Sequence, residues 1–138
     1  MSAISEALYN RLASDVQLAA MLSNYHGHPA IFTADLAPQD AELPYIVAAG
    51  EGGGTSFDTK TTQGMRVVRD IRCYAEQNDT ATTVEAIAER VRELLHRQPL
   101  TLAGYTMDVL DAGVPTQNPE TDAYGRRVVV TMLVRKNN

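Results

Sequence analysis

The sequence has a single cysteine, Cys73, and no long apolar run. One thiol cannot form an intrachain disulfide or supply the several cysteines of a zinc site. No apolar stretch approaches the roughly 18 uninterrupted residues that indicate a membrane-spanning helix. The N-terminal residues lack the basic region and apolar run of a signal peptide. We therefore predict a cytosolic protein that is neither exported nor embedded in a membrane.

Basic residues are scarcer than acidic ones: 12 Lys and Arg stand against 17 Asp and Glu, and the formal net charge is -5. Binding nucleic acid through its phosphates requires a concentrated basic surface, so this charge disfavours a nucleic-acid-binding protein. With 44% hydrophobic and 21% charged residues, the composition is that of a soluble globular domain. For a chain of 138 residues we predict one domain, spanning residues 1–138.

Motifs of common catalytic chemistry are missing too. The sequence has no Gly-x-Ser-x-Gly elbow, no His-Glu-x-x-His helix and no calcium-binding loop. The glycine-rich stretch from Gly50 follows a predicted strand, but a phosphate-binding loop requires Gly-Lys-[Ser/Thr] opening a helix. Here the first lysine is Lys60, and a strand follows. Cys73 lies on the apolar face of a predicted strand, where a thiol packs as a small hydrophobe. We therefore predict a protein without enzymatic activity, catalytic residues or cofactor.

Two histidines, His26 and His28, leave one binding hypothesis open. Imidazoles so close in a loop could share a metal ion, but no third ligand at a suitable spacing is evident. We predict no metal site. The alternative is a small-ligand or metal-binding α+β module that uses this pair and the glycine-rich stretch.

Helical periodicity marks two regions of the chain. Apolar residues recur every three or four positions over residues 4–22, and Ser14-Asp15 predicts a break, because both side chains compete for backbone N–H groups. The second helical region, whose apolar stripe runs from Val84 to Leu95, is predicted to end before Pro99. Its apolar stripe consists of Val84, Ile87, Ala88, Val91, Leu94 and Leu95.

Strand patterns are predicted at residues 44–49, 65–75, 102–110 and 126–135, with a short strand at 30–32. Residues 50–64 are predicted to be a flexible glycine-rich loop, because such a composition buries too little apolar surface to offset its ordering entropy. Neighbouring strands can pair antiparallel. The predicted fold is α+β: an antiparallel sheet of about four strands with two helices packed on one face.

The last strand is apolar on both faces between Val128 and Val134. A small antiparallel sheet normally leaves one face in water, so we predict that a neighbouring subunit covers the second face. Arg126, Arg127, Arg135 and Lys136 flank this strand. They either protect its edge from aggregation or contact a partner.

Five segments, taken in order, resemble a known family: EALYNRL at 6–12, LPYIV at 43–47, VVRDIRCYA at 67–75, AIAERVRELL at 86–95 and TDAYGRR at 121–127. They form a short helix, a strand, a strand that ends in an aromatic residue and alanine, an amphipathic helix, and the approach to a hydrophobic strand. Their order and spacing cover nearly the whole chain. The sequence resembles the tail-completion (tail-terminator) proteins of long-tailed bacteriophages and prophages.

The resemblance implies a structural protein of the virion tail, assembled in the cytoplasm of a bacterial host. Proteins of this family form a ring, usually a hexamer, on the last ring of the tail tube. The ring stops tube growth and presents the surface to which the head connector attaches. The implied partners are copies of the chain itself, the tail tube protein and the head-tail connector protein, with DNA only as cargo that passes through the ring.

We expect contacts with a neighbouring subunit or the tail tube at the glycine-rich loop and the last strand. The candidate interface residues are Gly52, Gly53, Gly54, Thr55, Phe57, Arg126, Arg127, Val129 and Leu133. Two alternatives remain beside the tail terminator. One is a head-tail connector or neck protein of similar fold, and the other is the small-ligand or metal-binding module.

Overall fold

A computed structural model describes residues 2–33, 38–56, 64–76, 82–117 and 123–137. The helices in these ranges are α1 (Ser2–Ala13), α2 (Val16–Met21) and α3 (Thr82–Leu95). The strands are β1 (Asn24–Tyr25), β2 (His28–Pro29), β3 (Ile31–Phe32), β4 (Tyr45–Ser56), β5 (Gly64–Glu76), β6 (Tyr105–Ala112), β7 (Thr116–Gln117) and β8 (Ala123–Lys136). None of the described helices has both the length and the apolar character needed to cross a membrane.

The predicted break between α1 and α2 is confirmed. Asp15 precedes α2, and its carboxylate accepts a hydrogen bond from the Leu18 N–H at 2.8 Å. The same carboxylate accepts two hydrogen bonds, at 2.7 and 2.9 Å, from the guanidinium of Arg90 on α3. These bonds hold the pKa of Asp15 below its usual range. One side chain therefore caps α2 and also ties it to α3.

Arg11 joins α1 to the C-terminal end of α3. Its guanidinium donates to the carbonyl oxygens of Leu94, Gln98 and Pro99 at 3.0, 2.9 and 3.3 Å. The last carbonyls of a helix have no partner within that helix, so Arg11 satisfies groups that would otherwise require water. The three helices are thus linked into one layer by side chains that lie far apart in sequence.

In the described ranges, the sheet has six strands in the order β3-β4-β5-β8-β6, with β7 also paired to β8. The prediction of about four strands was too small, because two short strands also join the sheet. These are β3, which was predicted as a short strand at 30–32, and β7, which is too short to show alternation. The expectation that neighbouring strands pair antiparallel is wrong for β3 and β4, which run parallel. The connection over residues 33–44 provides the dozen or so residues that a parallel pair requires.

Strand β4 is longer than predicted. Residues 50–56, predicted as the first half of a flexible loop over 50–64, continue this strand, and they pair with β5 from Gly50 opposite Asp70 to Ser56 opposite Met65. Register shifts after Val47 and Glu51 take up the extra residues. Glycines weaken a strand by themselves, but the neighbouring β5 supplies a complete pairing partner. Residues 57–63 lie outside the described residues.

The main core lies between the helix layer and one face of the sheet, which we call the helix-covered face. The predicted α3 stripe is buried there, with Leu94 only partly so. The fully buried side chains of β8 on this face are Val128, Val130, Met132 and Val134. Burying one such side chain stabilises the fold by about 1.5–3 kcal/mol. We call the opposite face of the sheet the outer face.

Candidate functional site

The two histidines lie in a tight hairpin rather than a ligand cluster. His26 and Gly27 form the turn between β1 and β2, with φ angles of 50° and 84°, a conformation that favours glycine. The His26 ring stacks on Tyr25 with 4.2 Å between the ring centroids. Within the described ranges, no group of three or more His, Cys, Asp or Glu side chains is placed to hold a metal ion.

Cys73 is buried on the helix-covered face, as the alternation in β5 predicted. Burial raises the pKa of its thiol to about 12, because apolar surroundings disfavour the thiolate. The prediction that Cys73 packs as a small hydrophobe is confirmed.

The two apolar faces of β8 have different surroundings. Val128 and Val130 are fully buried beneath the helices, whereas Val129, which points to the outer face, is 36% exposed. Leu133 on the same outer face is half-buried. Within a single chain, the second apolar face of the last strand is therefore only partly covered.

Four half-buried or exposed aliphatic residues lie together on the outer face. Leu133 is opposite Val109 of β6, and Val68 of β5 is opposite Thr131, so their side chains share this face with Val129. We call Val68, Val109, Val129 and Leu133 the outer patch. Elsewhere on the same face, Val47 and Tyr74 are buried in a small second cluster, whereas the residues of the outer patch are half-buried or exposed.

Charged residues border the outer patch. Arg66 lies opposite Leu133, Asp70 lies opposite Val129, and Asp111 lies opposite Thr131. Arg127 approaches Asp70 at 3.8 Å, with 44% of its side chain exposed. An apolar centre with a charged rim is the usual layout of a protein contact surface.

The basic cluster of the sequence is divided between the two faces. Arg127 lies on the outer face, while Arg126 points to the helix-covered side and pairs with Glu85 of α3 at 3.2 Å, with 16% of its side chain exposed. Arg135 binds Asp108 through two bonds of 2.6 and 2.9 Å, which lowers the pKa of Asp108. Neighbouring positions of a strand point to opposite faces, so the cluster does not form one surface.

The two edges of the sheet also differ. At the β6 edge, the turn after α3 occupies backbone groups: the Arg97 N–H donates to the Leu110 carbonyl at 2.8 Å, and the Ala112 N–H donates to Nδ1 of His96 at 3.1 Å. At the other edge, β3 covers β4 only at Ile46 and Val47. In the described part of the chain, no strand pairs with that side of β4 beyond Val47.

The structure thus distributes the predicted interface residues over several places. Gly52, Gly53, Gly54 and Thr55 lie in the open-edged half of β4, Arg127, Val129 and Leu133 lie on the outer face, and Arg126 lies apart from both. Phe57 lies outside the described residues. Sequence reasoning missed Val68 and Val109. Val68 interrupts the polar face of β5, and that irregularity was the available signal.

The model of the family described as tail completion protein gp17 matches residues 6–135, which is nearly the whole chain. The chain belongs to this family. Among curated proteins, none matches it.

A solved structure agrees with this fold. The chain is similar to one from a structure described as "Virion of native gene transfer agent (GTA) particle", with a TM-score of 0.76 and 22% sequence identity. The match covers 99% of this chain and 96% of that one. At this identity the likeness shows the shared fold, which the two chains adopt over almost their full length.

Proposed function

We propose that this protein is a structural subunit that completes a phage-like tail. Copies of the chain form a ring, a hexamer in this proposal, on the last ring of the tail tube. The ring stops tube polymerisation and presents the attachment surface for the head connector. The observation that carries the proposal is membership of the tail completion family over residues 6–135.

The outer face supports this role physically. An antiparallel sheet can leave one face in water, and that face is then normally polar. Here the outer patch places Val129, 36% exposed, beside the half-buried Val68 and Leu133. Covering these side chains with a neighbouring protein would remove further apolar surface from water at about 25 cal/mol per Å². In this proposal, Arg127 contributes to the charged rim of the same contact.

The open half of β4 supports a second contact. Edge strands expose N–H and C=O groups that can pair with another chain. Gly52, Gly53 and Gly54 have no side chains to hold a second backbone away. We propose that this edge, with Thr55, contacts the tail tube or the neighbouring subunit.

The charge of the chain is compatible with DNA as passing cargo. A net charge of -5 means that a ring of these subunits carries excess negative charge. A lumen without a concentrated basic surface does not hold DNA by its phosphates, and this net charge permits such a lumen. In this role the protein catalyses no reaction and requires no cofactor.

The test is a tube-length assay. Purified tail tube protein is polymerised alone, with this protein present from the start, and with this protein added after polymerisation has finished. Electron microscopy should show shorter tubes only when the protein is present from the start, with an added disc at one tube end in both mixtures. Light scattering of the protein alone and with tube fragments should show a ring-sized species.

Unchanged tube lengths without discs, and a chain that stays monomeric with tube fragments, would contradict the proposal. Gold labelling of the protein in complete particles distinguishes tail completion from the alternative role of a head-tail connector. A label at the end of the tube supports tail completion, whereas a label confined to the head side of the neck would identify a connector.

A further inference from the structure

A second surface of the molecule combines exposed apolar residues with acidic ones. Val16 on α2 and Val114 after β6 are the most exposed large hydrophobic residues of the described part, at 84% and 72%. Val114 and Pro115 line a groove together with Glu89, Arg92 and Glu93 of α3. Val16 follows Asp15, whose carboxylate binds Arg90 of α3. We call the solvent side of α3, with this groove and Val16, the α3 surface. It carries Glu89 and Glu93 beside Arg92, whose Nε donates to the Ala112 carbonyl at 3.1 Å.

The α3 surface and the outer patch lie on opposite layers of the subunit. The helices pack on the helix-covered face of the sheet, so the solvent side of α3 and the outer face point away from each other. A head-to-tail contact between two copies would bring one of these surfaces onto the other. Such a heterologous contact forms a closed ring when the rotation between neighbouring copies brings the last copy back to the first.

The charges of the two surfaces are complementary. Glu89 on the α3 surface and Arg66 beside the outer patch are both exposed. No ion pair in the described part of the chain involves either residue. Arg127 adds a second, 44% exposed cation to the outer face, where it approaches Asp70, and Glu93 adds a second, 64% exposed acid to the α3 surface, where it pairs with Arg90. Opposite charges across an interface select the partner and fix its orientation.

Apolar groups match in the same way. Val129 and Leu133 are accessible on the outer face, and Val16 and Val114 are accessible on the helix layer. A sheet with helices on both faces is a common way to bury a strand that is apolar on both sides. The α3 surface of a second copy would supply the helix that the outer face of β8 lacks.

We infer that the α3 surface of one subunit docks on the outer patch of the next copy of this chain, with Glu89 facing Arg66. This contact rests on the proposed ring and specifies which two surfaces join its subunits. The open edge of β4 takes no part in it and stays available to the tail tube.

The experiment uses charge reversal in the full chain. Arg66→Glu and Glu89→Arg are each expected to raise the protein concentration needed for half-maximal ring formation about tenfold, because like charges then face each other. Both positions are exposed, so urea unfolding of each variant should match the wild type. Ring formation is measured by light scattering and electron microscopy, with and without tail tube fragments.

Mixing the two variants gives the decisive reading. In alternating subunits of an equimolar mixture, the two introduced side chains face each other across one contact, and the native Glu89 and Arg66 face each other across the next. Every contact then pairs opposite charges, so the mixture should assemble within about twofold of the wild-type concentration. The matched control is a single chain that combines Arg66→Glu with Glu6→Arg, an exposed acid on α1. It has the same net charge as the wild type but leaves Glu89 facing an acid at every contact, so it should stay at the tenfold higher concentration.

The inference is overturned if wild-type rings form but the two reversed variants assemble as well as wild type, or if their mixture fails to recover. In either case the proposed function stands, because rings have formed. If the wild-type chain forms no ring even on tail tubes, the proposed function and the inference both fall.

Discussion

The two faces of β8 are made from similar aliphatic residues but have different surroundings. Val128 is fully buried against the helix layer, while its neighbour Val129 is 36% exposed on the outer face. The helices of the same chain exclude water from the helix-covered face, so its apolar residues stabilise the fold. The outer face remains partly exposed to solvent, and its apolar residues are available for assembly. Adjacent substitutions should therefore separate folding from assembly.

The largest effect is expected for Val128→Lys. This change places an unpaired charge in the core, which should lower the free energy of unfolding by about 4 kcal/mol or more. Urea unfolding followed by circular dichroism measures it. Val129→Lys in the same assay should change the free energy by less than about 0.5 kcal/mol. Similar losses for both variants would contradict the difference between the faces. Position 130 is less suitable for an introduced acid because the buried Arg69 lies opposite Val130.

Asp15→Ala should have the next largest effect. It removes the cap of α2 and the bond to Arg90 on the helix side, and a lost cap costs about 1–2 kcal/mol of unfolding free energy. The matched control is Asp108→Ala, which breaks the Asp108–Arg135 pair on the more exposed outer side. Exposed ion pairs contribute little to stability, so Asp108→Ala should lower the unfolding free energy by less than Asp15→Ala does. If the two variants lost equal unfolding free energy, the Asp15–Arg90 contact would stabilise the fold no more than the exposed Asp108–Arg135 pair.

Acidification tests the same contact through charge. Hydrogen bonding from Arg90 lowers the pKa of Asp15 from its ordinary 3.8. Its stabilising contribution is therefore complete above the unfolded pKa and is lost as the pH falls through the folded pKa. Asp15→Asn keeps a capping oxygen but cannot titrate. We expect this variant to lose less unfolding free energy than wild type between pH 7 and about pH 3. If the variant and the wild type had the same pH dependence, Asp15 would not be a source of the acid-induced loss of stability.

The smallest effect on stability, and the clearest effect on assembly, is expected for Val129→Glu. The variant should fold normally yet need about tenfold more protein for half-maximal ring formation, because an acid enters the outer patch and faces the acids of the α3 surface. Ala103→Glu is the control, since Ala103 is exposed near α1, away from this face. If both variants assemble like wild type, the outer face is not a contact surface.

Much of the fold followed from periodicity. The α3 stripe, the break at Asp15 and the alternation of β5 were visible in the sequence, since each depends on residues within a few positions of one another. The glycine-rich half of β4 was predicted wrongly as a loop because its pairing is supplied by β5. The short strand predicted at 30–32 is present as β3. Its parallel pairing with β4, and the strand β7, were not predicted, because both depend on partners elsewhere in the chain.

The candidate surfaces were only partly predictable. Val129 and Leu133 were identified from a strand that is apolar on both sides, but Val68 and Val109 join them only through strand pairing. Arg126 and Arg127 were grouped in one basic cluster, yet the pleat sends them to opposite faces, and Glu85 pairs with Arg126 from α3.

By itself, the sequence determined the family, the α+β class and the presence of two apolar faces on the last strand, because these depend on residue type and local spacing. Only the tertiary structure decided which of those faces the helices bury and which stays accessible, because this depends on α3 packing on one face of β8. Alternation separates two faces of a strand, but it contains no information about what packs on either of them.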